Sequence, residues 1–174
     1  IQSFLLDLSF NGEDVLPTVK SLINEGMYFS NFYPQISIGT SSDTEFTLLS
    51  SLLPTNTGIV FTNFSNRNYV TLPKMLSEKG YYTFSMHANT AAFWNRQTMH
   101  KSLGYDRFYS KADYIVDKEN VIGLGLSDKH FFAQSIEKIK EINEEHENWY
   151  GLLIMLSNHT PFSDVDKYGE FPVD

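Results

Sequence analysis

Short apolar segments alternate with amphipathic segments along almost the whole chain of 174 residues. The apolar segments are "IQSFLLDLSF" at 1–10, "MYFSNFYP" at 27–34, "YYTFSMH" at 81–87, "YDRFY" at 105–109 and "WYGLLIML" at 149–156, and each is predicted to be a strand. The helices are predicted at 15–26, from Ser42 onward, and at 71–80, 91–104 and 128–145, with loops at 54–70 and 111–126. This alternation predicts an α/β fold in which a mostly parallel sheet is sandwiched between helices.

The composition indicates a folded domain with an acidic surface. Hydrophobic residues make up 41% of the chain and aromatic residues 15%, which argues against disorder and is enough for one core. The net charge of -8 disfavours nucleic acid as a partner, so a phosphate ligand would have to be captured locally. The absence of cysteine excludes disulfides and thiolate zinc sites.

Both ends of the sequence are those expected of a piece of a longer protein. The chain begins directly with the predicted strand "IQSFLLDLSF" and stops in the proline-containing turn "GEFPVD". No apolar run has the length of a membrane span, and no signal peptide is recognisable.

The stretch "IGTSSDTEF" at 38–46 allows a structural and a chemical interpretation. Ser42 and Glu45 have the spacing of a capping box, in which each side chain binds the backbone amide of the other. Alternatively, Ser41 is a nucleophile at a helix N-terminus, where the free amides and the helix dipole favour phosphate. The local sequence fits both.

Several polar residues follow predicted strands and are expected to meet at one edge of the sheet. His87 and His159 follow two of these strands, and ligands of open α/β sheets bind beyond the carboxyl ends of the strands. Arg96 can contact phosphate oxygens in a bidentate way, and Trp94 offers a flat wall for a glycerol or a sugar. Each residue also has a structural interpretation: core packing for Trp94, solvation for Arg96, and local hydrogen bonding for the histidines.

Five motifs carry a resemblance to a known family. "GTSSDTEF", "MHANTAAFWNR", "LGYDRFY", "NVIGLGLSDKHFF" and "LSNHTPF" occur in order over nearly the whole chain. They resemble the lipoteichoic acid synthases, which are phosphoglycerol transferases of the sulfatase-like, alkaline phosphatase superfamily. The resemblance implies that residues 1–174 form the N-terminal portion of one sulfatase-like extracellular catalytic domain, with the fold incomplete.

The resemblance also implies roles for individual residues. Ser41 falls at the position of the covalent nucleophile, normally a threonine, which also binds the metal ion. Gln2 stands where the family has a metal-binding glutamate, and the family's metal-binding Asp-His pair belongs to a later segment. The positions of the substrate pocket are His87, Trp94, Arg96 and His159, and Asn89 replaces a frequent aspartate. We therefore expect a divalent cation, Mn²⁺, in the complete domain and weak or absent binding in this piece.

The activity implied is the transfer of glycerol phosphate from phosphatidylglycerol to a glycerol phosphate polymer of the cell envelope. The resemblance places the domain on the extracellular face of a bacterial membrane, attached through segments outside this chain. Two alternatives stay open: a hydrolase of the sulfatase or phosphodiesterase type, and a catalytically silent domain that binds an anionic ligand or a partner. The substitutions at Gln2 and Ser41 favour the silent domain, whereas the intact pocket positions favour an enzyme.

Overall fold

The computed structural model describes residues 3–162 and 164–167, and the chain divides into two compact units. The described part of the first unit is 3–33, and the second unit is Pro34–Lys167. Gln2 and the C-terminal "GEFPVD" turn lie outside the described residues.

The first unit contains little regular structure. A 3-10 turn at Ser3–Leu6 precedes strand β1 (Ser9–Phe10), which pairs with the antiparallel strand β2 (Glu13–Asp14) across the Asn11–Gly12 turn. Helix α1 (Pro17–Glu25) follows, with a proline in its first turn, where the missing amide costs no hydrogen bond.

Two strand predictions for the first 34 residues are wrong. The described part of 1–10 holds only the 3-10 turn and the two-residue strand β1, and 27–34 contains no strand. An apolar run forms a strand only where a neighbour completes its hydrogen bonds. In the described chain the segment 27–34 has no such neighbour, and β1 pairs only with the adjacent β2.

The second unit begins with three helices and is built on a parallel sheet. The helices are α2 (Ser41–Ser50), α3 (Val60–Asn63) and α4 (Leu72–Ser77). Strand β3 (Tyr82–Met86) is followed by a 3-10 turn at Phe93–Asn95, helix α5 (Arg96–Leu103) and strand β4 (Arg107–Tyr109). The short hairpin of β5 (Val121–Ile122) and β6 (Gly125–Leu126) leads to helix α6 (Asp128–Glu145) and strand β7 (Trp149–Leu153).

The central strand β3 pairs in parallel with β4 on one side and β7 on the other. Phe84 lies opposite Arg107 in β4 and Gly151 in β7. The expected parallel sheet is therefore confirmed, although α3 and the β5–β6 hairpin form where loops were predicted.

Each face of the sheet carries its own hydrophobic core. On one face Phe46, Phe61, Met99 and Leu103 from α2, α3 and α5 form a buried cluster. On the other face a second cluster joins α6 and the hairpin to the sheet, with members Phe84, Met86, Leu126, Phe131 and Ile142. Because side chains alternate along β3, Ser85 points to the α5 side, away from Phe84 and Met86.

Candidate active site at the start of helix α2

The loop before α2 is held in place by two side chains from the first turn of the helix. The carboxylate Oδ2 of Asp43 accepts hydrogen bonds from the amides of Ser37 (2.8 Å) and Gly39 (3.0 Å). The hydroxyl of Ser42 donates to the carbonyl of Gly39 at 2.8 Å. A Cβ on Gly39 would lie 2.3 Å from Oδ1 of Asp43, so only glycine fits here. These contacts leave Ser41 exposed as the first residue of α2.

Thr40 has a strained backbone immediately before Ser41. Its φ of 44° and ψ of -107° lie outside the regions that a β-branched residue ordinarily adopts. Such strain is frequent where a functional side chain must be presented in one orientation. This backbone conformation of Thr40 turns the chain sharply into the helix. Ser41 is then the first residue of α2, as expected from the sequence.

The predicted capping box of Ser42 and Glu45 is wrong. Ser42 binds the Gly39 carbonyl, and Thr40 is the residue that flanks the helix start. The carboxylate of Glu45 instead points into the protein, where Arg96 and His100 are its partners. Both partners are more than 50 residues away in the sequence, and their charge and donors outweigh a local amide.

A chain of buried polar contacts, which we call the Glu45 network, consists of Arg96, Glu45, His100 and Ser85. Arg96 donates to Glu45 through Nη2 to Oε1 and through Nε to Oε2 at 3.3 Å. His100 Nε2 lies 3.1 Å from the same Oε2, and His100 Nδ1 lies 2.7 Å from the Ser85 hydroxyl. Because a carboxylate only accepts, Nε2 of His100 carries a proton.

The Glu45 carboxyl stays ionised within this network. Burial raises the pKa of Glu45, but the hydrogen bond from His100 and the charge of Arg96 lower it further, so the pKa lies below its ordinary value. The ion pair with Arg96 thus satisfies two charges that are almost fully buried.

Arg96 and His87 each keep one buried nitrogen without a partner among the described residues. Both side chains are only 2% exposed, and the free atoms are Nη1 of Arg96 and Nε2 of His87. Nδ1 of His87 faces the carbonyl of Ile154 at 3.0 Å, which fixes the proton on Nδ1. Burial, followed by the charge of Arg96, lowers the pKa of His87 to about 4. The imidazole is therefore neutral at pH 7, with Nε2 free to accept a hydrogen bond.

The predicted pocket residues Trp94 and His159, and Asn89 at the position of the family's frequent aspartate, lie in different environments. Trp94 has a left-handed backbone and packs against the core cluster of α2, α3 and α5, so part of its ring serves the core. Asn89 is buried and its Oδ1 accepts from the amide of Thr90 at 2.6 Å. His159 is exposed in the turn after β7, where its Nδ1 lies 2.6 Å from the carbonyl of Thr160.

The structure thus brings part of the predicted site together. Arg96 binds Glu45, which lies one helical turn after Ser41 on α2, and the Arg96 charge acts on His87. The described contacts of His159 stay within its own turn and do not join it to these residues.

The described residues do not by themselves form a metal site. In 3–162 and 164–167 no three histidine or acidic side chains are grouped so that they could hold an ion. Of the two expected metal ligands, Ser41 contributes one exposed hydroxyl and Gln2 lies outside the described residues. A hard divalent cation needs several oxygen ligands, so further ligands would have to come from elsewhere.

Comparison with known proteins identifies the family. The family model described as Sulfatase matches residues 2–173. The chain belongs to the sulfatase family. This sulfatase-family chain is 39% identical over 170 residues to lipoteichoic acid synthase 1 of Bacillus subtilis, a match that covers 95% of the chain and 26% of that protein. The chain therefore spans about a quarter of the length of the curated relatives it matches.

Two solved structures of similar proteins extend the comparison of the sulfatase-family chain. The lipoteichoic acid synthase LtaP from Listeria monocytogenes matches with a TM-score of 0.87 and 28% identity, over 95% of this chain and 40% of that one. The phosphoglycerol transferase GacH from Streptococcus pyogenes, in complex with sn-glycerol-1-phosphate, matches with a TM-score of 0.60 and 26% identity, over 87% of this chain and 40% of that one. The resemblance to lipoteichoic acid synthases and the sulfatase-like fold, both expected from the sequence, are confirmed.

Sequence reasoning missed the role of Glu45 and the presence of His100 and Ser85 in the site. A signal existed, since Glu45 and Ser41 are four residues apart and so share one side of α2. Nothing local distinguishes a carboxylate that turns inward from one that caps its own helix, because the deciding partners, Arg96 and His100, come from α5.

Proposed function

We propose that this chain is the N-terminal portion of the catalytic domain of a phosphoglycerol transferase. The enzyme would move glycerol phosphate from a phosphatidylglycerol head group to a glycerol phosphate polymer of the cell envelope. It would work at the extracellular face of a bacterial membrane, attached through segments outside this chain. The described residues contain no helix with the length and apolar character needed to cross a bilayer.

The observation that carries the proposal is the pair of unpartnered buried nitrogens. Nη1 of Arg96 is a charged donor suited to a phosphate oxygen, and the neutral Nε2 of His87 is an acceptor suited to a glycerol hydroxyl. Buried polar atoms are ordinarily satisfied, and the charge of Arg96 lowers the pKa of His87, so two free atoms in these side chains indicate a polar ligand. The Streptococcus pyogenes relative, whose structure holds sn-glycerol-1-phosphate, supports this choice of ligand.

In this mechanism Ser41 Oγ attacks the phosphorus of the donor. A bond forms between Oγ and phosphorus, the bond from phosphorus to the diacylglycerol oxygen breaks, and that oxygen leaves with a proton. The terminal hydroxyl of the polymer then attacks the same phosphorus and releases Ser41 with its proton restored. Arg96 would hold the phosphate, and the free amides at the start of α2 would stabilise the charge that develops on its oxygens.

The test compares two exposed hydroxyls in the first turn of α2, in the full-length protein with phosphatidylglycerol vesicles. Ser41→Ala should abolish diacylglycerol release and the mass increase of a glycerophosphoryl adduct, whereas Ser41→Thr should retain both. Thr44→Ala is the matched control, because Thr44 is exposed and, among the described residues, its hydroxyl binds only the Thr40 carbonyl. It should remain active.

The products separate the proposal from its alternatives. Lengthened glycerol phosphate polymer supports a transferase, and free glycerol phosphate in its place indicates a hydrolase. Activity that survives Ser41→Ala would refute the nucleophile. Binding of sn-glycerol 1-phosphate without any turnover would indicate a silent binding domain.

A further inference from the structure

We propose that Glu45, His100 and Ser85 are positioning residues that orient the Arg96 guanidinium so that its Nη1 group remains available to the ligand. The inference rests on the proposed function, because Arg96 is there the phosphate-binding residue.

The contacts divide the guanidinium into a held side and a free side. Glu45 accepts from the Nε hydrogen and from one hydrogen of Nη2, which lie along one side of the planar group. Rotation of the guanidinium about the Cδ–Nε bond of Arg96 would break both contacts with Glu45 at once. The donors on Nη1 have no partner in the described chain and so are the ones left for a phosphate oxygen.

Glu45 is itself fixed from the opposite end of the network. His100 donates to Oε2 of Glu45 at 3.1 Å and meets the hydroxyl of Ser85 at 2.7 Å. Ser85 and His100 are fully buried, and Ser85 lies in the central strand β3, whose backbone pairs with β4 on one side and β7 on the other. The His100 ring is confined by Phe61 and Phe108, whose centroids are 6.0 and 4.7 Å away.

The network also sets the distance between Arg96 and the nucleophile. Glu45 and Ser41 are four residues apart on α2 and so lie on one side of the helix. By binding Arg96, the Glu45 carboxylate fixes the position of the guanidinium relative to the Ser41 hydroxyl. Stability alone gives little reason for such an arrangement, since well-packed apolar residues are often at least as stabilising as a buried ion pair. Orientation of a charged donor is a role that an apolar group cannot fill.

The test removes the end of the network farthest from the ligand. Ser85→Ala deletes the hydroxyl that holds His100, and Ser135→Ala is the matched control. Ser135 is equally buried and binds one side chain, the Tyr114 hydroxyl at 3.1 Å, on α6 across the sheet. Two properties are measured in the protein: the NMR signal of the Arg96 Nε–H group without ligand, and the dissociation constant for sn-glycerol 1-phosphate.

Ser85→Ala should shift the Arg96 signal and weaken binding by about threefold or more, while Ser135→Ala should change neither. Glu45→Gln, which keeps the shape but puts an amide donor against Arg96, should shift the signal further and weaken binding by about tenfold. An unchanged Arg96 signal in both variants of the network would overturn the positioning role. If the wild-type protein does not bind sn-glycerol 1-phosphate, the proposed function fails, and the Arg96 signal still decides whether the network orients the guanidinium.

Discussion

Thr40 and Ser41 are neighbours at the start of α2, but only Thr40 has a backbone that its side chain disfavours. The strain at its φ of 44° should be relieved by glycine, which adopts positive φ freely. We expect Thr40→Gly to raise the free energy of unfolding by about 1 kcal/mol. This is a net value, because the greater conformational entropy of the unfolded variant offsets part of the gain from the relieved strain. Thr44→Gly, four residues later inside the helix, should lower it by about 0.5 kcal/mol, the difference in helix propensity between threonine and glycine. Urea denaturation measures both, and a loss of stability in Thr40→Gly would contradict the strain.

His87 should make the stability of the protein depend on pH. Its pKa is about 4 in the folded chain, where it faces Arg96, Glu45 and His100, against about 6.5 when unfolded. The unfolded state therefore binds more protons between these values, so stability is complete above pH 6.5 and falls as the pH drops towards 4. This contribution amounts to about 3 kcal/mol.

The matched variant is His87→Asn, whose amide nitrogen can take the place of Nδ1 and still donate to the Ile154 carbonyl. It should flatten the pH dependence of the unfolding free energy between pH 6.5 and 4. Parallel curves for the variant and the wild type would show that His87 does not titrate in this range.

At the scale of the elements, helix α6 fixes the turn that carries His159. Asp128 Oδ1, in the first turn of α6, accepts from the amides of Leu156 and Ser157 at 2.8 and 3.0 Å. Asp128→Ala leaves both amides without this acceptor and should lower the free energy of unfolding by about 1–3 kcal/mol. Asp128→Asn keeps one carbonyl acceptor and should cost less. Hydrogen exchange at the two amides should accelerate in the alanine variant, and unchanged exchange would refute this anchoring.

Two strands that sequence analysis predicted correctly, β3 and β7, have helices packed on both faces of their sheet. Both strands are apolar runs; β3 is mostly buried and β7 is half-buried, which is the environment that such runs predict. The segments at 1–10 and 27–34 are equally apolar, but what decides a strand is a partner, and a single run does not encode its partner. The sequence did contain one unused signal, the Asn11–Gly12 pair that closes the β1–β2 hairpin with both residues at positive φ.

The sequence predicted those residues of the candidate site that follow a strand end or begin a helix. His87 was expected from the end of β3, and Ser41 from the start of a helix, and both lie there. Glu45 was misassigned because its partners Arg96 and His100 come from a different helix. Ionic partners across the fold are not encoded in local spacing, whereas strand ends and helix starts are.

At the scale of the whole molecule, the acidic net charge determines how an anionic ligand can bind. The chain carries -8, so attraction must come from buried donors such as Nη1 of Arg96 rather than from a basic surface. Salt weakens interactions between exposed charges most, because the screening length is about 8 Å at physiological ionic strength.

We therefore expect little dependence of glycerol phosphate binding on salt. Between about 50 and 200 mM salt, the dissociation constant for sn-glycerol 1-phosphate should change by less than about threefold. Salt weakens both the repulsion of the ligand by the acidic chain and its attraction to Arg96, and these two effects on affinity oppose each other. A site that captured this small anion with exposed lysines and arginines would lose more than about threefold in affinity over the same range, because exposed charges are screened most. Isothermal titration calorimetry at several salt concentrations measures this. A steep loss of affinity would mean that exposed lysines and arginines, and not the buried guanidinium held by Glu45, capture the phosphate.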